Sequence, residues 1–125
     1  MSAKTYRVLV VEDHADAAES MRILLNLLGH PVEVAHSGPA ALMAARRFRP
    51  EVVLCDLGLP GSMDGYDVAR ALRQDADSAS AYLVALTGYD GVEDLRRCRE
   101  AGFDLHRVKP VDFDDLRGVF AALPR

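Results

Sequence analysis

Five short β-rich apolar runs alternate with helical patterns along this chain, and that alternation limits the folds open to it more than any other feature. "YRVLVV" (6–11) is followed by "ADAAESMRILLNLL", in which Ala18, Met21, Leu25 and Leu28 share one helical stripe and Gly29 marks the end. "VEVA" (32–35) precedes Ser37 as an N-cap, Pro39 in the first turn, and an Ala-rich helix running towards Phe48. "EVVLC" (51–55) leads through a loop to the short helix "GYDVARAL". "AYLVAL" (81–86) leads to Asp90-Gly91-Val92-Glu93, a capping-box spacing that opens "VEDLRRCREA", and Gly102 closes that helix. "DLHRV" (104–108) is polar enough for a sheet edge, and Leu116, Val119, Phe120 and Leu123 give the last helix a buried face.

Near-continuous Val and Leu in the strands, each strand followed by a helix, predicts a parallel sheet covered on both faces. The expected architecture is an open, doubly wound α/β fold. Half of the 125 residues are apolar and no run is long enough to span a membrane, so a single domain over 1–125 is expected, with no membrane partner. The opening "MSAKT" has no signal-peptide pattern, which points to the cytoplasm. Cys55 and Cys98 form no C-x-x-C pair and read as isolated thiols rather than a disulfide or zinc site. A formal charge of -4 argues against direct nucleic-acid binding driven by phosphate neutralisation.

In open α/β sheets the ligand crevice forms at the carboxyl ends of the strands. Glu12 and Asp13 follow the first run, Asp56 the third, Thr87 the fourth, and Lys109-Pro110 the fifth. Carboxylates brought together there repel by about 4 kcal/mol per close pair at an effective dielectric near 20. Lys109 can offset part of this. Oxygen-only ligands with no imidazole or thiolate at suitable spacing favour a hard divalent cation, Mg²⁺. Taken singly, Glu12 and Asp13 also fit as caps of the first helix, with Lys109 as their counter-ion. Five such residues at strand ends point to a site.

The stretches "VLVVEDHAD", "VVLCDLGLPG", "VALTG" and "VKPVD", in this order, resemble the receiver domain of bacterial two-component response regulators over essentially the whole chain. The resemblance implies a flavodoxin-like (βα)5 fold, a five-stranded parallel sheet of order 2-1-3-4-5. It implies Mg²⁺ held by Glu12 or its water, Asp13, Asp56 and the backbone carbonyl of Gly58. It also implies phosphorylation of Asp56 by a histidine kinase or histidine phosphotransfer protein, with Thr87 and Lys109 binding the phosphoryl group. Two new charge-assisted hydrogen bonds, at roughly 1.5–3 kcal/mol each, approach the roughly 5.5 kcal/mol that inverts a two-state equilibrium. Movement of Thr87 would then reshape the face made by the fourth helix, fifth strand and fifth helix, and signal to a downstream protein or output domain.

Several positions depart from the family pattern or have no assigned role. Three residues before Lys109, where the family carries Tyr or Phe, stands His106: either a switch side chain whose charge can follow pH, or a solvated edge-strand histidine. The loop "GLPGSMDG" is one residue longer than usual, with Ser62 the extra one. Gly58 and Tyr89 lie two residues past key positions, where the family tunes access of water to the acyl phosphate. His14, His30 and His36 share no metal spacing and are expected to be solvated. The runs "ARRFR" and "LRRCRE" read as solvated helix faces, the second suited to an acidic patch on a partner.

An enzymatic alternative is a Mg²⁺ phosphohydrolase with an aspartyl-phosphate intermediate. Haloacid-dehalogenase-like phosphatases need a second Asp two residues after the nucleophile, and Gly58 occupies that place, so no turnover of an external substrate is expected. Neither G-x-G-x-x-G nor a P-loop follows the first strand. A receiver-shaped interaction module that is never phosphorylated is the other alternative. The ends of the chain fit either a stand-alone regulator or one module of a larger regulator or hybrid kinase.

Overall fold

Alternate residues of the central strands point to opposite faces of one sheet, and both sets are apolar. A computed structural model of the chain describes residues 4–88 and 92–123. Its elements are β1 (Val8–Val11), α1 (Ala15–Leu27), β2 (Val32–Ala35), α2 (Gly38–Phe48), β3 (Val52–Asp56), α3 (Gly65–Gln74), β4 (Tyr82–Thr87), α4 (Val92–Ala101), β5 (Leu105–Val108) and α5 (Phe113–Ala121). The strands pair in parallel in the order β2-β1-β3-β4-β5. Leu9, Val53, Cys55 and Leu83 pack with Ala41 and Ala44 of α2, Val68 and Leu72 of α3, and Cys98 of α4. Val8, Val10, Leu54, Val84 and Leu86 pack on the other face with Met21 and Leu25 of α1 and Leu116 and Val119 of α5. Burial on both faces is why these strands read as unbroken apolar runs rather than alternating ones.

The helix ends follow local chemistry. Ser37 Oγ accepts from the Ala40 N–H at 3.3 Å, as its N-cap position predicts. Asp64 with Asp67, and Asp112 with Asp115, form reciprocal capping boxes that start α3 and α5. The sequence reading missed both, because the third residue is Asp rather than the usual Glu or Gln. Gly29 (φ 94°) and Gly102 (φ 112°) end α1 and α4 in the left-handed region that favours glycine. The capping box expected at Asp90–Glu93, like Tyr89, lies outside the described residues.

Element bounds shift in informative ways. β1 begins at Val8, two residues later than its apolar run, because the Tyr6 N–H is taken by His30 Nδ1 at 3.0 Å. His30, expected to be solvated, is buried: the turn after α1 places its ring against Phe120 of α5, with centroids 4.0 Å apart. β3 runs on to Asp56 and β4 to Thr87, so both polar groups occupy the last strand position. At the opposite end of the sheet, Arg73 of α3 donates to the carbonyls of Gly102, Ala79 and Ala81 and to Asp104 Oδ2, which also accepts from the Leu83 N–H. One guanidinium thus ties α3 to the start of β4 and the turn before β5. Among the described residues no helix is long and apolar enough to cross a membrane.

Candidate functional site

The alternation that sends Val52 and Leu54 to the α1/α5 face sends Asp56 the same way, at the last position before the chain leaves the sheet. Parallel pairing extends past the strands. The Glu12 N–H donates to the Ala35 carbonyl at 3.0 Å, that of Leu57 to Leu86 at 3.1 Å, and that of Lys109 to Thr87 at 2.7 Å. The sheet itself therefore fixes the rim. Glu12 has no exposed surface, and Asp56 and Thr87 are each 8% exposed.

Lys109 Nζ lies 2.7 Å from Glu12 Oε1 and 3.2 Å from Asp56 Oδ2, bridging the ends of β1 and β3. The second oxygen of each acid is also engaged. Asp56 Oδ1 accepts from the Gly58 N–H at 3.0 Å, and Glu12 Oε2 accepts from the His14 N–H at 3.2 Å. Partial burial pushes the Lys109 pKa down, but the hydrogen bond to Glu12 and the charge of Asp56 more than offset it and hold the group above the ordinary lysine value. Lys109 is therefore an ammonium. Beside this bridge, Asp13 Oδ1 is buried with no hydrogen-bond partner among the described residues. An orphaned carboxylate oxygen next to two further acids and one lysine is the donor set a divalent cation fits.

The loop after Asp56 rests on α3 at a point that admits no side chain. A Cβ on Gly65 would lie 2.5 Å from the Asp56 carbonyl oxygen and 2.7 Å from Leu57 Cα, while the Gly65 N–H donates to the Leu57 carbonyl at 3.1 Å. The sequence reading passed over Gly65; its place at the first position of α3, directly after the Asp64 cap, was the available signal. Ser62 is exposed in the same loop, as is Gly58. Pro110 is exposed and joined to Lys109 by a cis peptide bond.

His14 and His36 are exposed, as expected, while His30 and His106 are not. One of the ring nitrogens of His14 lies within 4.8 Å of a carboxylate oxygen of Glu12 and of Asp13. His36 is exposed, with Nδ1 2.9 Å from the Glu12 carbonyl oxygen. His106 is half-buried opposite Ala85 of β4, and its Nε2 is buried with no hydrogen-bond partner among the described residues, so the solvated edge-strand reading does not hold. Its ring lines a small cavity of about 160 Å³ with Leu95, Cys98 and Phe103. Both cysteines are buried, and burial pushes both thiols up. In "ARRFR" the three arginines are exposed, as expected, and pair with Asp75, Glu33 and Asp77.

A doubly wound sheet with acids and a lysine at the carboxyl ends of its strands belongs to the flavodoxin-like class of α/β folds. Within that class, the family model described as the response regulator receiver domain matches residues 8–121, and the chain belongs to that family. It is 40% identical over 116 residues to the DNA-binding response regulator MtrA of Mycobacterium tuberculosis, covering 93% of this chain and 49% of that protein. It is 38% identical over 117 residues to the virulence sensor protein BvgS of Bordetella pertussis, covering 89% of this chain and 9% of BvgS. The chain thus spans about half of one relative and about a tenth of the other. The chemotaxis protein CheY4 of Vibrio cholerae has the same fold, with a TM-score of 0.91, 24% identity, and coverage of 97% of this chain and 100% of that one. The receiver domain of a sensor histidine kinase from Pseudomonas aeruginosa superposes with a TM-score of 0.83 at 28% identity, covering 93% and 94% of the two chains. That structure has a magnesium ion coordinated in its active site cleft.

Proposed function

We propose that Asp56 accepts a phosphoryl group from the phosphohistidine of a histidine kinase or histidine phosphotransfer protein, and that the change in surface is read by a downstream protein or output domain. The observation that carries this reading is the Lys109 bridge between Glu12 and Asp56 beside an Asp13 oxygen that has no partner among the described residues. It is a pocket with a nucleophile, a fixed cation and room in its charge balance for a second one.

Asp13, Asp56, the Gly58 carbonyl, and Glu12 directly or through water would hold Mg²⁺. When bound, Mg²⁺ supplies positive charge against the acids and the phosphoryl oxygens. An Asp56 carboxylate oxygen attacks phosphorus in line. As the P–O bond forms, the P–N bond breaks, and its electron pair leaves with the imidazole, which departs neutral from its protonated form. Lys109, already 3.2 Å from Asp56 Oδ2, pairs with a phosphoryl oxygen as a point charge, and the Thr87 hydroxyl at the end of β4 donates to another. A groove of about 460 Å³ walled by Ala17, Met21, Leu24 and Val111 opens onto Lys109 and gives a donor protein an apolar approach.

Thr87 and His106, on neighbouring strands, would carry the change to the face formed by α4, β5 and α5. The acyl phosphate is labile to water, so the signal decays, and with Gly58 in place of a second Asp no external substrate is turned over. Direct contact with nucleic acid is not part of this function. The free, buried Cys55 and Cys98 suit work in the reducing cytoplasm. Intact-mass spectrometry after incubation with acetyl phosphate and Mg²⁺ tests the reading. The wild type should gain one phosphoryl group and Asp56→Asn none; an unmodified wild type, or equal modification of both, overturns it.

A further inference from the structure

We propose that the groove at the amino ends of the strands docks an acidic polypeptide segment of a partner, on a surface separate from the phosphoryl pocket. The groove has a volume of about 920 Å³, and cations reach it from four parts of the chain: Lys4 and Arg7 before β1, Arg49 after α2, Arg73 of α3 and Arg99 of α4. Three acids, Glu51, Asp77 and Asp104, share its lining. Two of them are held by backbone: Glu51 Oε1 accepts from the Arg7 N–H at 3.0 Å, and Asp104 Oδ2 accepts from the Leu83 N–H at 2.9 Å as well as from Arg73. Positive charge is therefore in excess here, in a chain whose formal net charge is -4.

Hydrogen-bonding capacity is also in excess. Arg7 Nη1 is 3.7 Å from Glu51 and Arg49 Nη2 is 3.8 Å from Asp77, both beyond hydrogen-bond reach. Arg7 Nε donates to the Arg49 carbonyl at 2.8 Å, which seats the first guanidinium beside the second residue. Arg99 is exposed and makes no ion pair among the described residues. Guanidinium groups with unused N–H edges match carboxylates in a two-pronged geometry. A separate observation falls on the same groove: Arg49 stands at φ 51° and ψ 63°, a left-handed conformation that glycine or asparagine adopts more readily. The acids among the arginines decide the class of partner. A nucleic-acid backbone is a continuous row of phosphates and would meet Glu51 and Asp77, whereas a peptide can set single carboxylates against Arg7, Arg49 and Arg99 and neutral residues against the acids. The part-buried Tyr6 and Tyr82 offer ring faces to its apolar atoms. The six residues of β4 put about 20 Å between this groove and the Asp56 end of the sheet. That exceeds two Debye lengths at physiological ionic strength, so a partner can stay docked while Asp56 is phosphorylated.

The test titrates ¹⁵N-labelled protein at low salt with an acetylated, amidated oligoglutamate peptide, with oligoserine of the same length and inorganic phosphate as comparisons. The amides of Arg7, Arg49 and Arg99 should move with oligoglutamate and stay still with oligoserine, and the shifts should fade as salt is raised. Losing two exposed carboxylate pairs should weaken oligoglutamate binding to Arg49→Gln/Arg99→Gln by at least about threefold. Both side chains are exposed, so the variant should fold; a matched thermal melt checks this, and Arg99→Gln alone, also expected to bind more weakly, serves if it does not. Uptake of a phosphoryl group from acetyl phosphate should be unchanged with the peptide bound. Undiminished binding to the variants, shifts confined to the surroundings of Lys109, or peptide that blocks phosphorylation overturns the proposal. Equal shifts with inorganic phosphate mean an adventitious ion only and overturn it as well. Movement of the same amides with protein concentration alone makes the acidic rim of a second copy the occupant, and the proposed partner falls. None of these outcomes bears on Asp56 as the phosphoryl acceptor, which the mass measurement above decides.

Discussion

Lys109 and Glu12, 97 positions apart in the chain, meet at 2.7 Å, and no solvent reaches the glutamate end of the pair. Burying a carboxylate is tolerable only because this ammonium and the His14 N–H face it. The pair joins β1 to the segment after β5, across two intervening strands.

Removing the cation should therefore expose that cost. Lys109→Met is expected to lower stability by about 1–3 kcal/mol, the usual penalty for a buried group left without its partner. Adding Glu12→Gln to that variant should recover part of the loss. Urea unfolding of the two single variants and the double variant closes the cycle. Strict additivity would mean that the 2.7 Å contact contributes nothing.

Asp13 makes a prediction about metal and stability together. On the proposed reading Mg²⁺ binds the folded pocket and not the unfolded chain, so raising its concentration should raise the melting temperature of the wild type. Asp13→Asn should remove that dependence, and without metal it should be no less stable than the wild type, because it relieves one negative charge among acids. Differential scanning fluorimetry across a Mg²⁺ series reads both, and a Mg²⁺ response that survives in the variant would contradict the assignment.

Gly65→Ala should disturb Asp56, the proposed acceptor, without touching its side chain. The new methyl would sit 2.5 Å from the Asp56 carbonyl oxygen, so either the loop or α3 must move, at a cost of about 1–3 kcal/mol. Phosphorylation of Asp56 by acetyl phosphate should slow as well. Gly118→Ala in α5 is the matched control, because an added Cβ there meets nothing within 4 Å and should stabilise by about 0.5–1 kcal/mol.

His30 predicts a pH dependence at the far end of the sheet. Burial lowers its pKa below the ordinary 6.5, and its Nδ1 already accepts from the Tyr6 N–H, so the folded state resists protonation. The unfolded chain takes up the proton more readily. Stability linked to His30 is therefore present above pH 6.5 and is lost as pH falls from there through the depressed folded value. Urea midpoints measured between about pH 7.5 and about pH 5.5 should fall more steeply for the wild type than for His30→Gln. Parallel slopes would show that the buried ring does not titrate in this range.

Much of the architecture was legible before any coordinates. Each parallel strand needs two buried faces and a helical crossover, and both demands leave local marks: unbroken Val and Leu, then apolar residues at helical spacing, with Ser37 and Gly102 as punctuation. The rim was legible too, because position at a strand end is a property of chain order. Glu12, Asp13, Asp56, Thr87 and Lys109 could be placed on one edge by counting.

What counting could not reach depends on distances between elements that the chain does not encode locally. That Lys109 bridges two acids, that an Asp13 oxygen has no partner among the described residues, and that Gly65 presses on the Asp56 backbone follow from how α3 and the segment after β5 seat against the sheet. The same letter, His, became a ring stacked on Phe120 at position 30, a half-buried ring whose Nε2 has no partner among the described residues at 106, and an exposed neighbour of two acids at 14. Side-chain identity and spacing determined which groups arrive at the rim, because strand and helix periods are set residue by residue. Tertiary packing alone decided which of them touch, because contact requires the sub-ångström placement that only the closed core imposes.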